Sequence, residues 1–329
     1  MRIEAFSEGK NLDDPEANED QFLVLPGRGY AVIDGVTDRT GHRYNGRLAG
    51  YIASRSVQQA VSRFLVDNES IEPDRLIDAL SAGIRAAYER NQALEIAREN
   101  RARRFGATLA LAAHQGDTMR FVLIGDSGLR LNGEEVWIND TGLDLVTSSL
   151  RQEAYRLVAE AGGSTADKVR VGRACVWHGA TRLHPDQKPW LDETSLKTLY
   201  ARALERSRTR FPAVPESDIR LLLDGGVMTG QTQFQNNTNS PLSYAVLDGF
   251  EVERSLVRVI DRPLSSIRSL ELFSDGYFKP GATPDVASWE AAFEEVERDD
   301  PEKIERYPSV KGTVGRIRAD DRTIVSVRF

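Results

Sequence analysis

The chain has 329 residues, of which 40% are hydrophobic and 28% are charged, and its formal net charge is −7. This composition is typical of a soluble globular protein, and an acidic balance without a basic block argues against a nucleic-acid partner. No stretch approaches the roughly 20 apolar residues of a membrane span, and residues 1–10 lack a signal-peptide pattern, so no membrane partner is expected.

Two long helices are predicted in the first third of the chain. Apolar residues recur at spacings of three to five across 44–66 and again across 73–100, which indicates one buried face on each helix. Apolar runs at 107–113 and 119–124, joined by a polar turn, then predict a β-hairpin, with a short strand at 129–132. Strands followed by two helices and several hairpins favour an antiparallel α+β fold.

The second half of the chain has a weaker pattern. Helices are predicted at about 149–160, 189–206 and 284–298, and strands at 242–247, at 251–260 and at the end of the chain. Between them, 211–240 is rich in Pro, Gly, Asn and Gln, which is typical of a mobile excursion. We expect one domain over 1–329, with a variable excursion at about 164–241.

The single cysteine, Cys175, cannot form an internal disulfide and has no partner for a zinc site. It lies in an apolar run, so we expect a buried, inert thiol and a cytoplasmic protein.

Four short acidic clusters adjoin predicted strands. They are Glu19-Asp20, Asp34-Gly35, Asp275-Gly276 and Asp320-Asp321. Any one Asp before Gly is ordinarily a turn residue. Strand ends can meet at one edge of a sheet, however, and carboxylates gathered there repel each other. The clusters are therefore either dispersed in space or held together by a cation.

The donor chemistry of these clusters narrows the choice of cation. Carboxylate and carbonyl oxygens without His or Cys favour hard ions such as Mg²⁺, Mn²⁺ or Ca²⁺. The clusters lie too far apart for an EF-hand, and no nucleotide-binding glycine motif is present. Dispersed acids that hold two hard metals are typical of hydrolases, in which the ions activate a bridging water and stabilise phosphoryl charge.

Six short motifs in order resemble the metal-dependent protein phosphatases of the type-2C (PPM) family. They are Asn18-Glu19-Asp20, Asp34-Gly35, Gly106-Ala107-Thr108, Ile124-Gly125-Asp126-Ser127, Phe273-Ser274-Asp275-Gly276 and Asp320-Asp321-Arg322-Thr323-Ile324-Val325. Each is short, but together they span nearly the whole chain in family order.

The resemblance implies a four-layer αββα sandwich of two antiparallel sheets flanked by helices, with two Mn²⁺ or Mg²⁺ ions between the sheets. Asp34 would bridge the metals and the Gly35 carbonyl would bind one of them. Asp275 and Asp320 would bind the other, which makes Asp34 and Asp275 the catalytic candidates through a metal-activated water.

The resemblance assigns further acids to the rim of the centre. Glu19 and Asp20 would act mainly through metal-bound waters. Asp126 would belong to a third, weaker metal site, at which Lys279 stands in the place of an acid. Because an ammonium repels a third cation, we expect that site to be absent or altered.

The chain departs from the family pattern at several further positions. Pro15 replaces the usual phosphate-binding Arg, Val36 stands where many members carry His, and Asp321 stands where Asn is usual. The candidates for holding the substrate phosphate instead are Lys10, Arg39 and His42.

The leading hypothesis is a metal-dependent phosphomonoester hydrolase that acts on phosphoserine or phosphothreonine in a protein partner. Catalysis would use the metal-bridging water, and no Cys-x₅-Arg loop is present for a cysteine phosphatase. Two alternatives stay open. One is a weak or inactive pseudophosphatase that binds a phosphorylated partner, and the other is a small-molecule phosphatase.

Overall fold

The computed structural model describes residues 1–37, 40–181 and 189–329. It divides into two compact units. The sheet unit comprises Met1–Asp140, Tyr244–Arg298 and Val314–Phe329, and the helical unit comprises Thr141–Ser243 and Asp299–Thr313. The excursion predicted at 164–241 lies inside the helical unit, and the single-domain assignment stays a prediction.

Two five-stranded antiparallel sheets form the sheet unit, so the predicted α+β class is confirmed. The first sheet has the order β1-β12-β11-β8-β9. Its strands are β1 (Arg2–Glu8), β8 (Gly128–Leu131), β9 (Glu135–Ile138), β11 (Ser269–Phe273) and β12 (Arg322–Arg328).

The second sheet has the order β10-β7-β6-β3-β2, and a separate two-stranded hairpin lies between β3 and β6 in the chain. The strands of this sheet are β2 (Gln21–Leu25), β3 (Gly29–Gly35), β6 (Ala107–Gln115), β7 (Thr118–Ile124) and β10 (Arg258–Pro263). The hairpin consists of β4 (Arg43–Tyr44) and β5 (Arg47–Leu48).

The inner faces of the two sheets share one apolar core. Val32 and Leu123 of the second sheet belong to the same buried cluster as Leu272, Val325 and Val327 of the first. Side chains alternate between the two faces of a strand, so the remaining apolar residues lie on the outer faces and need cover from helices.

Helices cover both outer faces. Residues of α1 (Ala49–Asp67) and α2 (Pro73–Arg90) join a buried cluster with Ile33 and Leu109 of the second sheet. On the other side, α8 (Val286–Asp299) places Trp289 and Phe293 in a cluster with Phe273 and Ile324 of the first sheet. The order helix, sheet, sheet, helix confirms the predicted four-layer sandwich.

The predicted helix boundaries need two corrections. The first helix begins at Ala49 instead of 44, because Asn45 and Gly46 have positive φ and turn the chain into the β4–β5 hairpin. The second predicted helix, 73–100, is interrupted after Arg90 by Gln92, whose φ is 53°. A short helix, α3 (Leu94–Glu99), follows the interruption.

The helical unit contains four long helices among its described residues. They are α4 (Leu143–Glu160), α5 (Thr165–His178), α6 (Glu193–Arg210) and α7 (Glu216–Gln233). Cys175 is buried in α5, and burial raises the pKa of its thiol to about 12, which agrees with an inert thiol. In the part of the chain that the structure describes, no helix has the length and apolarity needed to span a membrane.

The loop prediction for 211–240 is wrong over α7. Its glycines suggested a break, and Gly226 is indeed non-helical, with φ 64° and ψ −166°. The helix forms around this break because Ile219, Leu222 and Leu223 are buried. The predicted strand at 251–260 is also displaced, since β10 begins only at Arg258.

One carboxylate organises the segment 299–313 of the helical unit. Asp300 accepts hydrogen bonds from the backbone N–H groups of Ile304, Glu305, Arg306 and Tyr307 at 2.9–3.0 Å. Burial by itself would raise the pKa of Asp300, but these four hydrogen bonds bring it below the ordinary value. The charged form is therefore the one that the folded state stabilises.

We expect Asp300→Ala to lower the free energy of unfolding by about 3 kcal/mol at pH 7, because four backbone donors lose a charged acceptor. The difference from wild type should shrink as the pH falls through the lowered pKa of Asp300, where the wild-type group is protonated. Urea denaturation at a series of pH values measures both effects. Asp299→Ala, which removes an ion pair with the exposed Arg306, should cost less than about 1 kcal/mol.

Candidate metal centre

The second sheet brings two of the acidic clusters side by side. Gln21 of β2 is the ladder partner of Ile33 of β3, so Asp20 and Asp34 each lie one residue beyond that pair, at the same end of the two strands. On its other side, Asp34 is the ladder partner of Thr108 of β6. Asp126 follows β7, the next strand in the sheet, and is half-buried.

The first sheet brings together the other two clusters. Phe273, the last residue of β11, pairs with Ile324 of β12, and Ser274 N–H donates to the Thr323 carbonyl at 3.0 Å. Because these strands are antiparallel, Asp275 and Asp320 lie at the same end of the sheet.

Hydrogen bonds join the acidic edges of the two sheets. Ser274 Oγ donates to Asp20 Oδ2 at 2.8 Å and accepts from Thr323 N–H at 2.9 Å. The Ser7 and Thr323 hydroxyls lie 2.8 Å apart, and Asn18 Nδ2 donates to Ser7 Oγ at 2.9 Å. The carboxylates of the four acidic clusters, which are far apart in the sequence, therefore meet at one edge of the sandwich.

Burial and neighbouring acids disfavour the charged form of Asp34. Burial raises the pKa of Asp34 well above its ordinary value, and repulsion from Asp20, Asp275, Asp320 and Asp126 raises it further. The four acids therefore lie close enough to Asp34 to act on its charge. Asp126, for which only a turn role or a third metal site was foreseen, is thus part of the same neighbourhood.

A lysine ammonium enters the cluster from the segment after β1. Lys10 Nζ lies 2.8 Å from Asp321 Oδ2 and 3.2 Å from both Glu19 Oε2 and Asp320 Oδ1. Lys10 Nζ also donates to Thr37 Oγ1 at 3.1 Å, and that hydroxyl donates to Glu19 Oε2 at 2.9 Å. The acids at this side of the edge are therefore partly neutralised by the protein itself.

Two glycines allow the backbone to approach the cluster closely. A Cβ atom on Gly35 would lie 2.4 Å from the Gly50 carbonyl oxygen and 2.6 Å from the Glu19 carbonyl oxygen. A Cβ atom on Gly50, in the first turn of α1, would lie 2.4 Å from Glu19 Oε1 and 2.7 Å from the Gly35 carbonyl oxygen. The Gly35 carbonyl and the Glu19 carboxylate thus meet in a space that no side chain can enter.

The donor set fits a hard cation. Glu19 and Asp20 are 0% and 2% exposed, yet Glu19 Oε1 and Asp20 Oδ1 have no hydrogen-bond partner. A buried carboxylate oxygen without a partner is costly, and a metal ion is one way to satisfy it. All nearby donors are oxygens, which suits Mg²⁺ or Mn²⁺. Within the described ranges, however, no three His, Cys, Asp or Glu side chains are already arranged as a metal-ion site.

The remaining candidates are placed differently. His42 is exposed and stacks edge-on against Tyr44, with ring centroids 4.5 Å apart. Arg39 lies outside the described residues. Lys279 Nζ lies 2.6 Å from Glu295 Oε1 of α8, so its charge is compensated by an acid of its own.

Three contributors to the site were not predicted from the sequence. They are Thr37 and Ser274, which donate to Glu19 and Asp20, and Gly50, which admits the Gly35 carbonyl. Ser274 precedes Asp275 in one of the six sequence motifs, but the sequence did not indicate its hydrogen bond to Asp20. Nothing in the local sequence around Gly50 indicates its contact with β3.

The sequence of the first half of the chain matches that of a known family. Residues 10–153 match the sequence model of protein phosphatase 2C. The matched segment is a little under half of the 329-residue chain. The match supports the predicted resemblance to this family, whose enzyme class is the metal-dependent phosphatases.

Solved phosphatases are similar to this chain over nearly its whole length. The serine/threonine phosphatase PstP/Ppp of Mycobacterium tuberculosis has 18% identity and a TM-score of 0.47, with coverage of 100% of this chain and 98% of that one. Stp1 of Staphylococcus aureus has 14% identity and a TM-score of 0.44, with coverage of 100% and 95%.

A third solved structure, PppA of Pseudomonas aeruginosa, has 16% identity and a TM-score of 0.45, with coverage of 100% of this chain and 97% of that one. At these identities and scores, no residue role is transferred from these structures to this chain. No curated protein matches it in sequence.

We expect Asp34→Asn to stabilise the chelator-treated protein at pH 7 by about 1–2 kcal/mol, because it removes a carboxylate that burial and four acids disfavour. The sign follows from the raised pKa: wild-type stability should fall as the pH rises through it, and the variant should lack this loss. Urea denaturation in chelator at several pH values provides the measurement. Asp117→Asn, at an exposed hairpin turn, is the control and should change little.

Proposed function

We propose that the protein is a metal-dependent phosphomonoester hydrolase that acts on phosphoserine or phosphothreonine in a protein partner. The observation that carries the proposal is the edge shared by the two sheets. There, strand-end carboxylates, the Gly35 carbonyl and the unpartnered oxygens of Glu19 and Asp20 come together. The family to which residues 10–153 belong supports the reaction class.

The residues that would hold two Mn²⁺ or Mg²⁺ ions are those at this edge. Asp34 and the Gly35 carbonyl would provide the central ligands, Asp275 and Asp320 would complete the set from the first sheet, and Glu19, Asp20 and Asp126 would form its rim. When bound, the metals would supply an activated water and positive charge for the phosphoryl oxygens.

The chain itself orients these ligands. Ser274 donates to Asp20 while it accepts from the β12 backbone, which fixes the carboxylate of one sheet to the other sheet. Thr37 donates to Glu19 in a similar way. Hydrogen bonds of this kind hold a carboxylate in one rotamer, so that its free oxygen faces the centre.

The residues that the family resemblance assigns to phosphate binding and to proton donation are replaced in this chain. Pro15 begins a short 3₁₀ turn and carries no charge, and Val36 has no proton to give. The Lys10 ammonium contacts the acidic cluster, and Lys10 stays a candidate for substrate binding. The leaving alcohol would then be protonated from solvent.

One observation favours the pseudophosphatase alternative. The Lys10 ammonium is engaged by three carboxylates, so its charge is already compensated before any phosphate arrives. A protein that binds a phosphorylated partner without turnover would tolerate such an arrangement. The small-molecule substrate, the choice between Mn²⁺ and Mg²⁺, and the cytoplasmic location stay predictions.

We expect p-nitrophenyl phosphate and phosphothreonine peptides to be hydrolysed in the presence of Mn²⁺ or Mg²⁺, and Asp275→Asn to reduce turnover by about 100-fold or more, since it removes a ligand charge. Initial rates with and without chelator measure this. Asp67→Asn, at the exposed end of α1, should keep wild-type rates. Absence of turnover of both substrates at saturating Mn²⁺ would contradict the proposal and leave the binding role. A panel of phosphorylated metabolites tests the small-molecule alternative.

We expect Ser274→Ala to weaken Mn²⁺ binding by about tenfold, because loss of a carboxylate-orienting hydrogen bond typically costs that much metal affinity. The Mn²⁺ concentration for half-maximal rate and the direct binding constant should move together, with a smaller change in kcat at saturating metal. Ser326→Ala is the matched control, a buried serine of the same sheet that donates to the Pro284 carbonyl. Equal losses in both variants would indicate a general structural effect.

A further inference from the structure

Lys10 is fixed in the acidic edge on both its backbone and its side chain. Its N–H donates to Asp321 Oδ1 at 2.7 Å, and its carbonyl accepts from Arg318 N–H at 2.8 Å. The side chain is only 17% exposed and ends among Glu19, Asp320 and Asp321. Lys10 is therefore a built-in element of the cluster and not a surface lysine that happens to lie close to it.

The donors of the ammonium are fully used. A lysine ammonium has three N–H groups and accepts nothing. Four acceptors surround it within 3.2 Å, the three carboxylates and the Thr37 hydroxyl. A phosphate oxygen could bind Lys10 only by displacing one of them.

The position of the ammonium matters for a metal ion. A lysine side chain carries a positive charge at neutral pH. This charge lies 3.2 Å from oxygens of Asp320 and Glu19, two of the residues assigned to the metals. A divalent ion that uses the same oxygens must approach this charge or displace it.

We propose that Lys10 is an internal cation of the metal centre, which holds Glu19, Asp320 and Asp321 together and weakens the binding of a divalent ion on the Asp320 side. The proposal rests on the proposed function to the extent that these carboxylates bind metal. Lys10 is in this sense a positioning residue that sets the metal concentration at which the centre fills.

Asp321 is the main ionic partner of Lys10. Its two oxygens take the shortest contacts of Lys10, one from the backbone N–H at 2.7 Å and one from the ammonium at 2.8 Å. The extra acid at position 321 and the ammonium at position 10 therefore compensate each other. The other two carboxylate contacts, to Glu19 and Asp320 at 3.2 Å, are the ones for which a divalent ion would compete.

The test compares Lys10→Met, which keeps the length of the side chain but loses its charge, with Lys10→Arg, which keeps the charge. Isothermal titration of the chelator-treated full chain with Mn²⁺ should show about tenfold tighter binding in Lys10→Met, because repulsion of the second cation is removed. Lys10→Arg should bind Mn²⁺ as wild type does. In chelator, Lys10→Met should unfold at a lower temperature, because three carboxylates lose their counter-charge, and Mn²⁺ should raise its melting temperature more than that of wild type.

A second pair of variants covers the case in which Lys10→Met misfolds. If Lys10→Met does not fold, the same titration compares Asp321→Asn with Lys10→Met/Asp321→Asn, in which the unbalanced acid is absent. Tighter Mn²⁺ binding by the double variant supports the proposal. Unchanged or weaker Mn²⁺ binding in a folded variant without Lys10 overturns it.

The outcomes separate this proposal from the proposed function. If Asp34→Asn abolishes Mn²⁺ binding while Lys10→Met leaves the affinity unchanged, the metal centre stands and the role of Lys10 is refuted. If Lys10→Met leaves Mn²⁺ affinity unchanged and raises KM for a phosphopeptide, Lys10 contacts substrate, which also refutes it. If wild type and all variants fail to bind Mn²⁺, the proposed function itself fails.

Discussion

Repulsion between carboxylates at the shared edge of two sheets is the constraint on which this structure depends. Burial and the charges of four neighbouring acids raise the pKa of Asp34, so the edge is unfavourable in the absence of compensation. The protein supplies part of that compensation through hydroxyl donors and one ammonium. The oxygens left unpartnered on Glu19 and Asp20 are the part that a divalent cation would satisfy.

Burial of apolar side chains in the sandwich offsets the unfavourable free energy of such an edge. Apolar side chains fill the space between the sheets and beneath both helical layers, and burial of this kind is the dominant favourable term in folding. The cost of gathering charges is therefore confined to one end, where β2, β3, β11 and β12 meet. Strands held rigidly by their ladders also keep the ligands in place without help from long loops.

The sequence predicted the sheet unit well and the helical unit poorly. Short apolar runs identified most strands, and apolar residues at helical spacing identified α1 and α2, because these elements bury apolar side chains in a regular pattern. The helix α7 was missed because glycines and polar residues dominate its sequence, and burial of Ile219, Leu222 and Leu223 decides its structure. Tertiary packing overrides local propensity at such places.

The sequence by itself determined the fold class, the resemblance to a phosphatase family and the acids at the strand ends, because apolar runs and short ordered motifs are local properties. Only the tertiary structure decided which groups compensate those acids. Lys10, Thr37, Gly50 and Ser274 act across 9 to 311 positions of sequence, through contacts that no local pattern records. Lys10 shows the difference most clearly, since the sequence suggested a phosphate ligand and the structure places its ammonium among the carboxylates.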